Sequence, residues 1–119
     1  STLLASSAAS DVYKRQVKGG VKRVNISDIR YVEVSKHRLI YHTVGEDIET
    51  NGNLKDVYSY LYDFGFRRCN HCYIINMRYV TEVLESSIMV GPESEELQVS
   101  RSKKKDFMAE LLKYWGGVR

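Results

Sequence analysis

The chain has 119 residues, 43% of them hydrophobic and 28% charged, with a formal net charge of +3. This is enough sequence for one domain and too little for two, and no stretch approaches the ~20 consecutive apolar residues of a membrane span. Two cysteines and no secretion signal argue against a disulfide framework and for a reducing, cytoplasmic setting.

Residues 1–16 begin STLLASSAAS, a Ser/Ala-rich run without the charged flank and apolar core of a signal peptide. They are expected to be a linker or an artificial lead outside the fold. The domain would then occupy residues 17–115, with a short tail at 116–119.

From Val21 the chain is rich in Val, Ile and Tyr in short runs, at Val21–Val24, Ile29–Val34, Leu39–Val44 and Ile48–Thr50. These runs read as strands, and the turn residues between them favour antiparallel neighbours over long crossovers. After Asn51-Gly52-Asn53 the period changes, because Leu54, Val57, Tyr58, Leu61 and Tyr62 recur at helical spacing. Asn53 suits the N-cap, Asp56 the positive end of the helix, and Gly65 the stop.

Further strands are expected at Cys72–Ile75, Tyr79–Leu84, Ile88–Val90 and Leu97–Val99, with a turn at Gly91-Pro92. A last helix should run from Lys103 to Tyr114, carrying Phe107, Met108, Leu111, Leu112 and Trp115, and end before Gly116-Gly117. No internal repeat stands out. Many short strands and two helices make a mainly β domain.

Arg101, Lys103, Lys104 and Lys105 place four cations in five residues at the start of that last helix. Positive charge there opposes the helix dipole, at roughly 0.3–1 kcal/mol per residue, so an anionic partner is expected. Two other connections are also basic: Lys36-His37-Arg38, and Arg67-Arg68 with Asn70-His71. Gathered on one side, they would offer Arg, Asn and His to base edges and lysines to phosphates. Scattered, they would be solvated turns.

Other chemistry has less support. Cys69-Asn70-His71-Cys72 has the C-x-x-C spacing of zinc and dithiol sites, but only His37 and His42 remain as further nitrogen ligands, and no second close pair exists. Neither a metal nor another cofactor is expected. No phosphate-cradling glycine loop, nucleophile elbow or metalloprotease motif occurs, so no enzyme is predicted. Nine tyrosines leave a β-rich protein-interaction module as the alternative.

Ordered landmarks then resemble the LytTR DNA-binding domain of bacterial response regulators. They are Asp28-Ile29-Arg30-Tyr31-Val32-Glu33 with His37, Asn51-Gly52-Asn53-Leu54-Lys55, the segment from Phe66 through Arg68 and Cys72-Tyr73-Ile74-Ile75 to Asn76, Tyr79-Val80, and Val99-Ser100-Arg101. The resemblance implies an elongated stack of small antiparallel sheets that projects loops into successive grooves of double-stranded DNA.

Carried over by position, it makes His37, His71 and Arg101 the base-reading residues. Lys36, Arg38, Arg68, Asn70, Ser102, Lys103, Lys104 and Lys105 would lie near the DNA backbone, and Asn76 would be structural. Where the family commonly has His, a basic or polar residue and Ser, this chain has Asn70, His71 and Cys72, a departure that touches the groove chemistry of that loop. The resemblance further implies an effector domain of a two-component transcription regulator that binds paired repeat sites and self-associates weakly. The phosphorylatable receiver is expected to lie outside this sequence; a stand-alone regulator under a membrane partner is the variant of that reading.

Overall fold

A computed structural model describes residues 12–17 and 20–117, with side chains over residues 24–116. The order is β1 (Val12–Val17), β2 (Gly20–Asn25), β3 (Ile29–Ser35), β4 (Arg38–Thr43), β5 (Asp47–Asn51), α1 (Leu54–Leu61), β6 (Phe66–Asn70), β7 (Tyr73–Asn76), β8 (Val80–Val83), β9 (Ser87–Val90), β10 (Glu95–Gln98) and α2 (Arg101–Gly117). The strands make three antiparallel sheets: the β1-β2 hairpin, a five-stranded sheet in the order β5-β4-β3-β7-β6, and a three-stranded sheet in the order β10-β9-β8. The mainly β architecture with two helices agrees with the sequence reading.

Both faces of the five-stranded sheet are covered. On one, Val32, Leu39, Tyr41, Ile48, Phe66 and Ile74 pack with Leu54, Val57 and Leu61 of α1. On the other, Tyr31, Cys69 and Ile75 pack with Val80, Ile88, Val90 and Leu97 of the small sheet and with Phe107 and Leu111 of α2. Adjacent residues on a strand face opposite ways, so in β3 and β7, central and covered twice, apolar residues stand side by side, as at Tyr31-Val32 and Ile74-Ile75. Tyr31↔Ile75 and Val32↔Ile74 are paired neighbours, one pair facing each core.

The chain changes sheet at two matching corners. Asn25 and Asn76 each cap a single 3-10 turn, Ile26–Asp28 and Met77–Tyr79, and each accepts a hydrogen bond from the backbone N–H two residues on. The first corner leads from the terminal hairpin into β3, the second from β7 into β8. Asn76 is buried and also donates to the Ile29 carbonyl at 2.9 Å, a structural role. This recurrence, absent from the sequence reading, rests on two asparagines 51 residues apart with no extended similarity around them.

Other differences are local. Residues 1–11 and 118–119 lie outside the described residues, but Val12–Gln16, expected to be lead, form β1 with Val17, paired to β2 from Val12↔Asn25 to Val17↔Gly20. Gly19-Gly20 is the hairpin signal that would have shown it. Arg67 to Asn70, read as a connection, belong to β6; its two consecutive arginines hid the strand, although Phe66 and Cys69 are fully buried. α2 begins at Arg101, two residues early, and continues through Gly116 and Gly117, which cost only about 1 kcal/mol each in a helix. Phe107 and Leu111 of its predicted stripe are buried, whereas Leu112 and Trp115 are exposed.

Candidate nucleic-acid interface

The β3–β4 connection is a two-residue turn whose central residues, Lys36 and His37, have φ of 50° and 67°. Both are left-handed, the pattern of a primed hairpin turn that normally selects Asn and Gly. Each non-glycine residue there costs roughly 1–2 kcal/mol. The strained conformation closes the hairpin between Ser35 and Arg38 and leaves both side chains exposed at its tip.

The β6–β7 turn, His71 and Cys72, lies at the same end of the same sheet. Glu33 pairs with Tyr73, and the Val34 N–H donates to the Cys72 carbonyl at 2.9 Å, one residue short of the β3–β4 turn. The N-terminus of α2 joins from the other direction, because the Ser100 N–H donates to the Cys69 carbonyl at 2.9 Å. His37, His71 and Arg101 therefore sit on three connections at one end of the molecule, all exposed.

Their neighbours divide into free and engaged side chains. Among the described residues no ion pair reaches Lys36, His37, His71, Arg101, Lys103 or Lys105. Ser102 and Lys105 are exposed on the first turns of α2, and Lys103 is half-buried. Lys104 reaches the Glu85 carbonyl, and Arg38 pairs with Glu49 at 3.0 Å in a solvent-exposed contact, the kind of pair worth only about 0–1 kcal/mol. No acidic residue occupies the first turn of α2, so its dipole and the cations beside it point the same way.

Arg68 and Asn70 are half-buried and make hydrogen bonds within the protein. Arg68 donates to the His71 carbonyl at 3.2 Å and lies 5.8 Å from the Tyr58 ring, while its Nε is buried without a hydrogen-bond partner. Asn70 accepts from the Cys72 N–H at 2.6 Å and donates to the Gln98 carbonyl at 2.7 Å. The sequence reading places both near the DNA backbone; the tie from Asn70 to Gln98, 28 positions away, has no local signature. Ser100 was likewise missed as the residue that joins α2 to β6, with its Oγ buried and unpartnered.

The cysteine motif does not form a cluster. Cys69 is fully buried in the core under α2, and that burial pushes its thiol up to about 12, which suppresses thiolate chemistry. Cys72 is half-buried across the turn. Among the described residues no three His, Cys, Asp or Glu side chains gather as a metal site. His42 lies far along β4, stacked on Tyr31 at 4.2 Å, with its ring nitrogens 2.8 Å from Glu33 and 3.1 Å from Asp47. Nor is any helix among the described residues long and apolar enough to cross a membrane.

A twice-covered antiparallel sheet that presents basic turns and a basic helix N-terminus at one end is the framework of a β-rich nucleic-acid-binding module. The family model of the LytTr DNA-binding domain matches residues 19–112, and the chain belongs to that family of DNA-binding domains. Among solved structures it is similar to the LytTr DNA-binding domain of a protein described as a methyl-accepting/DNA response regulator from Bacillus cereus. The TM-score is 0.72 at 20% identity over 85% of this chain and 96% of that one, a likeness of fold. No curated protein matches.

Proposed function

We propose that this domain binds specific sequences in double-stranded DNA as the effector of a bacterial, cytoplasmic two-component transcription regulator. The supporting observation is the meeting of three exposed reading positions, His37, His71 and Arg101, without ion-pair partners among the described residues, at one end of a DNA-binding family fold. In this reading those three contact base edges, Arg101 in the bidentate manner that suits guanine. Lys36, Arg38, Ser102, Lys103, Lys104 and Lys105 hold phosphates, and Arg68 supports the His71 turn from behind. Asn70 is left out of the phosphate set because its amide oxygen and one amide N–H are already bonded within the protein. Paired repeat sites and weak self-association on DNA complete the proposal, with a receiver elsewhere in the regulator as the source of control.

Selection of bound duplexes from a random pool, followed by anisotropy titration of the winners against scrambled controls, tests it. A site preference supports sequence-specific binding, and equal affinity for every duplex refutes it. Alanine at Lys103, Lys104 and Lys105 should flatten the salt dependence by about 0.9 for each phosphate that is no longer neutralised, on all sequences alike. The rival reading, a protein-interaction module resting on exposed tyrosines, is favoured by the exposure of Tyr60 and Tyr62 and of Leu112 and Trp115 on α2. Capture of a protein partner with no DNA retardation at low salt would favour it.

A further inference from the structure

We propose that Asn70 is a positioning residue that locks the β6–β7 turn to the start of α2, so that His71 and Arg101 meet DNA at one fixed spacing. The inference rests on the DNA-reading role proposed above. The carboxamide spans two elements. Its Oδ1 accepts from the Cys72 N–H at 2.6 Å, closing the turn around His71, and its Nδ2 donates to the Gln98 carbonyl at 2.7 Å. Gln98 ends β10, and Arg101 opens α2 three residues later.

The partners fix the orientation of the amide: reversed, it would set N–H against N–H and oxygen against oxygen. Two further bonds support the same junction, Ser100 N–H to the Cys69 carbonyl at 2.9 Å and Cys69 Sγ to the Gln98 carbonyl at 3.4 Å. Arg68 braces the turn from the opposite side through the His71 carbonyl. The turn is thus anchored on both flanks, and Asn70 supplies the side-chain anchor toward α2.

Loss of that anchor should act on specificity before affinity. Base-edge contacts tolerate little displacement, whereas flexible lysines follow a phosphate over several ångströms. Asn70→Ser separates the two bonds: a serine hydroxyl can still cap a turn by accepting from the residue two ahead, but it is too short to replace the bond to Gln98. Asn70→Ala removes both.

The experiment measures Kd on a selected site and on a scrambled duplex at several salt concentrations, for the full chain and both variants, with melting curves as the folding control. Asn70→Ser should reduce the ratio of specific to non-specific affinity about tenfold, the scale of one strong hydrogen bond, with the salt slope and the scrambled-duplex Kd unchanged. Asn70→Ala should reduce it at least as far; should that variant melt, Asn70→Ser carries the test. Equal loss on both duplexes with a shallower salt slope would make Asn70 a phosphate contact and overturn the proposal, as would an unchanged ratio.

A wild-type chain without site preference would instead refute the DNA reading, and hydrogen exchange of the free protein then judges the tie. Slow exchange of the Asn70 side-chain amide, with joint loss of protection at His71 and Arg101 in Asn70→Ser, supports it. Independent behaviour of the two segments overturns it.

Discussion

Where β3 begins, charged side chains of the five-stranded sheet are bound to partners within the protein, some of them from the small sheet and its loop. Buried Arg30 holds Glu95, lies 4.0 Å from Glu93 and donates to the Thr43 carbonyl, while His42 sits between Glu33 and Asp47. At the opposite end, where β3 turns into β4, Lys36, Arg101 and Lys105 are exposed and without an ion-pair partner among the described residues, and Arg38 pairs with Glu49 in a solvent-exposed contact. Internal pairing makes charge part of the framework at one end; its absence at the other leaves charge for a ligand. One sheet thus carries paired charge toward one end of its strands and exposed cations toward the other.

The comparison is tested most severely by Arg30→Ala. Removing this buried side chain empties its site and takes away its hydrogen bonds to partly exposed Glu95 and to the Thr43 carbonyl, which should cost about 2–3 kcal/mol of folding stability, read by urea denaturation, while the specificity of whatever DNA the folded protein binds stays as it was. Arg101→Ala should do the reverse: a loss of about 1–3 kcal/mol on the selected site, with stability changed by less than about 0.5 kcal/mol. A matching loss of stability at Arg101, or of DNA specificity at Arg30, would erase the distinction between the ends.

Alkaline pH reaches both ends through their cores. Burial raises the Cys69 thiol to about 12, and burial together with the Glu95 charge raises Tyr31. In each case the folded protein holds its proton more tightly than the unfolded chain. The stabilisation is therefore complete below the unfolded pKa and is lost as pH rises through the window above it, at about 1.4 kcal/mol per pH unit for each group. Urea midpoints between pH 8 and pH 11 should fall steadily, and Cys69→Ala should flatten the fall.

The smallest effect is the most diagnostic. His37→Gly relieves a left-handed residue and should stabilise the fold by about 1 kcal/mol while weakening specific DNA binding. A variant that melts higher and reads DNA worse would show that the strained turn is kept for its ligand.

Much of the framework was legible because it depends on period. Alternation and β-branched runs marked β3, β4, β5 and β7, and the helical spacing of Leu54, Val57 and Leu61 marked α1, down to the Asn53 cap that accepts from the Lys55 N–H at 2.7 Å. What escaped was either hidden by charge or non-local. β6 carries Arg67 and Arg68, whose polarity masks a strand: Arg67 lies 3.5 Å from the centre of the nearby Tyr62 ring and pairs with Glu110 of α2, 43 residues on. Of the apolar residues that mark α2 in the sequence, Phe107 and Leu111 are buried while Leu112 and Trp115 are exposed, a division that spacing alone does not make.

The candidate site divides the same way. The types and order of His37, His71 and Arg101 stand in the sequence, since side-chain chemistry and spacing along the chain are covalent facts. Their meeting at one end belongs to the tertiary structure, because it depends on β3 and β7 lying side by side and on α2 starting from the β6 edge. The roles of Arg68 and Asn70 turn on that arrangement as well: the direction an amide or a guanidinium faces is set by the carbonyls that folding brings within reach, and no property of the residue in its own segment fixes it.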